Sequence, residues 1–229
     1  NNIERIRLME DEKLVAIIGD IINSKKIENR FEVQEQLKII LKEVNCKYKE
    51  HIISNWTITL GDEFQVLMKP NLKIFEILDF ISYKMSPNEI RYGIGLGSIK
   101  TNINYDKSIG ADGPAYWNAR EAIETVYNNN YYGPSKIFFL SKGNDDKIIN
   151  NLLAYTDWMK ESWTDSQRKI LHTLLDNNNY NEKFQQKTLA KQLKISESAM
   201  SRRIKSSGIK LYLSSRNNLA KKIKKMGGS

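Results

Sequence analysis

Asp20 and Asp62 are the side chains whose setting in this sequence points first to chemistry. Asp20 follows the apolar run LVAII (14–18) and Gly19, and Asp62 follows Gly61 between two arms that alternate apolar and polar residues, in NWTITLGDEFQVLM (55–68). Two carboxylates brought to one place hold Mg²⁺, a hard cation that prefers oxygen and in turn holds a nucleotide's phosphates. Each aspartate alone also has a plainer role. Gly-Asp suits a hairpin turn on geometry alone, and Asp20 fits a helix N-cap or a loop carboxylate. A second set lies near the C-terminus: Ser196, Glu197, Ser198, Ser201, Arg202 and Lys205 fall where one helix presents its outward face. Short polar and cationic side chains in such a row read base edges and phosphates in the major groove of DNA.

The elements that must position the aspartates follow from hydrophobic period. The run 14–18 is rich in β-branched residues and predicts a buried strand ending at Gly19-Asp20. Val33, Leu37, Ile40, Leu41, Val44 and Tyr48 recur at spacings of three and four and predict an amphipathic helix. The segment 55–68 predicts a hairpin with Asp62 at its tip. Ile74, Ile77, Leu78 and Ile81 give a second helical stripe, and IRYGIGLGSI (90–99) a strand. Gly93, Gly95 and Gly97 of that strand share one face, which predicts a close approach to its backbone. A helix over about 116–127 and a strand KIFFL (136–140) complete the order β-α-β-β-α-β-α-β. That order predicts an α/β (α+β) class: a ferredoxin-like palm whose sheet is covered by helices on one face, with the first strand flanked by the hairpin strands. Asp20 and Asp62 then meet at one edge of the sheet.

After a connecting helix the character changes, and we divide the chain into residues 1–157 and an all-α domain over 158–226. Residues 160–229 hold 16 Lys and Arg against 5 Asp and Glu, an excess of +11, whereas the rest holds 20 against 22. The whole net charge of +9 therefore resides in the last third, the electrostatic footprint of a nucleic-acid-binding segment. A Lys-rich end that only solubilises the chain is the plainer alternative. Thr164 is placed to cap a helix over 163–175. The stretch QKTLAKQLKISESAMSRRIK (186–205) puts Ala190, Leu193, Ile195, Met200 and Ile204 where a helix-turn-helix needs small or apolar residues for its helices to cross. Its turn carries Lys194 where glycine is usual. A helix pair that merely packs satisfies the same pattern.

Composition narrows the class. With 40% apolar and 28% charged residues, the chain has the balance of a globular protein. The apolar runs are too short to span a bilayer, and neither a transmembrane helix nor a secretory signal is expected. Cys46 is the single cysteine, and the two histidines, His51 and His172, lie far apart, so no internal disulfide or Cys/His metal site is expected. A cytoplasmic location fits that usage. The closing Gly227-Gly228-Ser229 reads as a flexible linker.

The segments AIIGDI (16–21) and TLGDEFQVL (59–67) resemble the two metal-binding segments of class III nucleotide cyclases and, in the second, of diguanylate cyclase domains. RYGIGLGSI (91–99) and YWNAREAIE (116–124) are similar to their later glycine-bearing strand and arginine-bearing helix. GDIINSKKI, ITLGDEFQ and IGADGPAYWNAREAIE together resemble the SatD family, a bacterial group, and that likeness extends to the C-terminal module. The resemblance implies that Asp20 and Asp62 are metal ligands and that Arg120 stabilises phosphate charge, although Arg120 also suits an ion pair with Glu124, four residues on. Lys25, Asp112 and Asn118 are further candidates to bind a nucleotide around the same edge. Two positions depart from the cyclase pattern: the purine-reading lysine is Ile58 here, and the helix asparagine is Tyr116. These departures point away from turnover, toward a DNA-binding transcription regulator whose palm senses a nucleotide or phosphate ligand. The alternative is an active Mg²⁺-dependent cyclase or nucleotidyltransferase with a DNA tether. A homodimer is expected, because cyclase-type sites form between subunits and helix-turn-helix readers pair across half-sites. Its contact is expected in the aromatic segment 116–132, with Tyr116, Trp117, Tyr127, Tyr131 and Tyr132 read as core and interface, or in the final helix, LAKKIKKM.

Overall fold

The computed structural model describes residues 12–129 and 135–228; Tyr131 and Tyr132 lie outside the described residues. Strand β1 (Leu14–Ile21) leads through a 3-10 turn (Ser24–Lys26) into α1 (Arg30–Lys47). The hairpin β2 (Ile52–Leu60) and β3 (Glu63–Met68) follows, then α2 (Ile74–Met85), β4 (Ile90–Gly97), α3 (Pro114–Asn129) and β5 (Ile137–Leu140). The element order is the expected one. The sheet order is β2-β3-β1-β4-β5, with β1 antiparallel to both neighbours and β5 parallel to β4. Strand β1 thus lies between β3 and β4 rather than between the two hairpin strands.

The sheet is also covered on both faces, not one. Val15, Ile17 and Ile21 of β1 pack with Leu37, Leu41 and Val44 of α1 and with Ile74, Ile77 and Ile81 of α2. Leu14, Ala16 and Ile18 pack the other way, with Ala115, Tyr116, Ala119 and Ile123 of α3. Apolar residues at both parities are what a strand buried on two faces requires. The three glycines of β4 admit α3: a Cβ built on Gly95 would lie 2.0 Å from the Ala115 carbonyl oxygen, and one on Gly93 2.2 Å from that of Ala119. Backbone cannot yield as a flexible side chain does. Gly95→Ala is therefore expected to cost about 1–3 kcal/mol by forcing α3 off the sheet, as read by denaturant unfolding. An unchanged unfolding midpoint would show that α3 is free to shift.

Beyond β5, α4 (Asp146–Glu161) runs unbroken through the 157/158 boundary expected from composition. It covers the free edge of β5, whose unpaired backbone groups need partners. Asn150 donates to the Phe139 carbonyl (2.8 Å) and accepts from the Phe139 N–H (2.7 Å), while Asp157 accepts from the N–H groups of Lys136 (2.7 Å) and Ile137 (3.2 Å). The opposite face of α4 leaves Ile148, Leu152, Tyr155 and Trp158 exposed. Then come α5 (Asp165–Asp176), α6 (Gln186–Gln192), α7 (Glu197–Ser207) and α8 (Ile209–Met226). Ile209, Tyr212, Leu213, Leu219, Ala220 and Ile223 of α8 join the same buried cluster as α1 and α2. The palm and the C-terminal helices therefore share one continuous core. That core takes up Leu219, Ala220 and Ile223, so the apolar residues of LAKKIKKM pack mainly within the chain, while Leu211 earlier in the same helix stays exposed. Gly227 likewise rests on the palm, since a Cβ there would lie 2.4 Å from Pro70. No helix among the described residues is long and apolar enough to cross a membrane.

Candidate functional site

Three adjacent strands bring charged residues into one row at the sheet edge. Across β3, β1 and β4, Glu63 faces Asp20 and Asp20 faces Arg91. All three lie on the α3 face, at the parity of Ile18 on β1 and of the glycines on β4. The tip of the β2–β3 hairpin, where Gly61 takes φ 63°, adds Asp62. The Asp20 and Asp62 carboxyls come within hydrogen-bonding reach of each other, so the structure brings together the two aspartates that the sequence singled out. Burial, opposed by Arg91 and reinforced by Asp62, pushes the Asp20 carboxyl up to about 6. For Asp62 burial also acts upward, but hydrogen bonds with Ser24 and Asp20 and the nearby Arg30 hold it below the usual carboxylate range.

Two arginines close this edge. Arg91 donates through Nε (2.7 Å) and Nη2 to one Asp20 oxygen, and its guanidinium lies 4.3 Å from the centre of the Tyr127 ring. Arg120 grips Glu63 with both Nη atoms, one at 2.8 Å, in a bidentate pair. The partner of Arg120 is thus Glu63, 57 residues away, rather than Glu124. Arg91 is the residue that sequence reasoning missed. Its signal was parity: a cation on the strand face that three glycines mark for close packing. Among the described residues no three His, Cys, Asp or Glu side chains gather at a point. The edge could offer a cation two carboxylates, and a Mg²⁺ held there would have to complete its shell with other oxygens, such as water.

The other palm candidates are spread around this edge. Lys25 is exposed on the 3-10 turn that follows β1. Asp112 accepts from the Trp117 indole N–H (2.6 Å). Asn118 is buried, and its amide donates to the Leu96 carbonyl (3.0 Å), tying α3 to β4. Asp112 and Arg120 line a shallow hollow of about 560 Å³ with Ile18, Gln65, Tyr116 and Trp117. Of these three, Asp112 reaches the hollow, Lys25 faces solvent and Asn118 is turned into the packing.

In the C-terminal region α6 and α7 are joined by Leu193–Ser196. Lys194 takes φ 54° there, a left-handed conformation costing a non-glycine residue about 1 kcal/mol. Ala190 is buried, its carbonyl accepting from the Ile195 N–H (3.0 Å). Ser196 caps α7 by accepting from the Ala199 N–H (3.1 Å). Met200 and Ile204 point inward, whereas Ser196, Glu197, Ser198, Ser201, Arg202 and Lys205 are all exposed.

Among solved structures, one of a bacterial light-regulated adenylyl cyclase is similar at 12% identity and a TM-score of 0.42, over 56% of this chain and 75% of that one. A second structure of a bacterial light-regulated adenylyl cyclase gives 13% and 0.39, over 56% and 43%. The guanylyl cyclase Cya2 gives 16% and 0.35, over 49% and 69%. No curated protein matches. The SatD family model matches residues 14–223, palm and C-terminal helices together, and the chain therefore belongs to the SatD family.

Proposed function

We propose that this protein is a DNA-binding regulator in which α6 and α7 act as a helix-turn-helix and the Asp20/Asp62 edge of the palm binds a divalent cation with a phosphate-bearing nucleotide. The observation that carries the DNA reading is the exposed row on α7 above a buried Ala190–Met200–Ile204 crossing. A recognition helix needs short side chains at its N-terminal end, to approach base edges, and cations further along, to hold phosphates. Ser196, Ser198 and Ser201 followed by Arg202 and Lys205 meet that order. At the palm, a bound Mg²⁺ would supply charge to orient and neutralise phosphates. Asp20 and Asp62 would hold it, with Arg120 beside them. Ile58 and Tyr116 replace the residues that catalytic relatives would use, so the proposed role is binding rather than turnover.

The test is fluorescence anisotropy on genomic-fragment pools and then on the selected site. Arg202→Ala combined with Lys205→Ala is expected to weaken binding severely and to lower the slope of log affinity against log salt by about 2, roughly 0.9 for each phosphate no longer neutralised. Both side chains are exposed, so the melting temperature stays put. Unchanged affinity and slope would remove α7 as the reader. A homodimer belongs to the same proposal: Trp117 and Tyr127 of the expected aromatic contact remain exposed. Light scattering at micromolar protein reads it, and a monomer that binds its site as a monomer would sink it. Incubation with ATP or GTP and Mg²⁺ or Mn²⁺, followed by a pyrophosphate assay, tests the absence of turnover.

A further inference from the structure

We infer that Arg91 is an exchangeable ligand of the palm site: its guanidinium fills the cation's place at Asp20 when no metal is bound, and turns to the phosphates of the incoming nucleotide when a metal displaces it. This rests on the proposal that Asp20 and Asp62 bind a cation. Arg91 puts both Nε and Nη2 on one Asp20 oxygen, and a divalent cation needs that carboxylate. The pair is shielded, with side chains only 14% and 21% exposed, so metal cannot bind beside the arginine without competing with it. Two carboxylates in contact also need a positive partner to coexist. Arg91 supplies that charge at Asp20 through direct hydrogen bonds, and Arg30 lies near Asp62.

The displaced guanidinium has a place to go. It already lies over the face of Tyr127, where cation–π attraction holds a charge without an anion. Tyr127 is itself exposed at the end of α3, so the two form a rim above the sheet edge. Arg120, another cation of this edge, is held in a two-oxygen grip by Glu63. Arg91 instead spends both of its bonds on one oxygen of the carboxylate that the metal would need. Planar guanidinium groups bind phosphate oxygens in pairs, so the group that metal evicts suits the anion that metal brings. Cation and nucleotide therefore enter together, each removing the other's obstacle.

The exchange has a two-sided signature, which separates it from a merely structural ion pair. Arg91→Met keeps the stem and removes the charge. By calorimetric titration with Mn²⁺ alone, the variant is expected to bind the cation about tenfold more tightly than the parent, since an internal competitor is gone. With saturating Mn²⁺, its affinity for inorganic triphosphate is expected to fall about tenfold, since a phosphate ligand is gone. Arg91→Lys, a point charge without the fork, should lie between the two in both titrations. Circular dichroism melting confirms that each variant is folded. Opposite movement of the two affinities supports the exchange. Parent and variant alike in both titrations, or both affinities falling together, overturns it while leaving the cation site standing. If the parent itself binds neither Mn²⁺ nor triphosphate, the cation site falls and this inference falls with it.

Discussion

Arg216→Met is expected to destabilise the whole chain by about 3–5 kcal/mol, the cost of removing one partner from a buried ion pair. Arg216 is 1% exposed on α8, where it pairs with Asp157 on α4, and its guanidinium lies 5.3 Å from the ring centre of Phe75 on α2 and 5.2 Å from that of Tyr212. Among the described residues its Nε and Nη1 have no hydrogen-bond partner, so its burial rests on Asp157, the two rings and the nearby Asp79 carboxylate. Asp157 is committed elsewhere as well, since it holds the backbone of Lys136 and Ile137 at the start of β5. Removing the arginine strands a buried charge that cannot leave without releasing the sheet edge. For a chain of this size each kcal/mol moves the melting temperature by about 2–4 °C, so a loss of about 6–20 °C is expected.

The neighbouring network makes this loss global. Asp79 of α2 accepts from Lys160 of α4 (2.7 Å), from Tyr180 (2.5 Å) and from Tyr212 of α8 (2.9 Å). Burial raises the Asp79 carboxyl, but Lys160 and Arg216 outweigh that and keep it below the ordinary range. Palm and C-terminal helices are thus joined by ionised groups as well as by apolar contact, and they are expected to melt in one transition. The exposed pair Lys142–Glu121 is a control, since its loss should leave the melting temperature unchanged. A palm that melts as before in Arg216→Met, with only the C-terminal helices released, would show that the network does not couple them.

What the sequence could show depended on whether a feature was local or crossed the chain. The helix stripes of α1 and α2, the hairpin with Asp62 at its tip and the glycine face of β4 are written in period and spacing, and they emerge as such. So does the αL residue at Lys194, because the position of a turn between two helices is fixed by the crossing residues on either side. The partners of Arg120 and Asp20 were not legible. Glu124 is nearer to Arg120 in sequence, but Glu63 reaches it through the sheet register, and register is a property of two strands at once. Arg91 was hidden for the same reason. The expectation of helices on one face failed on β1, where LVAII is apolar at both parities and so had already declared two buried faces. The expected boundary at 157/158 followed the change of charge, but charge marks the surface. Asp157 and Arg216 lie inside and Lys160 reaches in to the buried Asp79, and they make α4 part of both halves.

Asp62→Asn is expected to abolish cation-dependent triphosphate binding, a loss of at least about tenfold, while the ligand-free protein at neutral pH melts at or above the parent temperature. The two carboxyls are in contact, and at neutral pH both must carry charge. Asp20 keeps its proton up to about 6 in the native protein, whereas in the unfolded chain it ionises near the ordinary 3.8. Between these values the native state binds the extra proton, so the Asp20 contribution to stability declines as pH rises from about 4 to about 6. Asp62 behaves oppositely: its stabilisation is present above the ordinary carboxylate value and is lost as pH falls through its lowered native value. Asparagine at 62 removes the negative neighbour and the partner in proton sharing. Burial still raises Asp20 and Arg91 still lowers it, but its titration should move below 6, and the decline in stability across that window should flatten. Carboxyl-carbon NMR follows the titration, and denaturant unfolding at about pH 4.5, 6 and 7.5 follows the stability. A variant that melts several degrees lower without ligand and still binds triphosphate with Mn²⁺ would mark Asp62 as a hairpin residue whose carboxylate serves the turn alone.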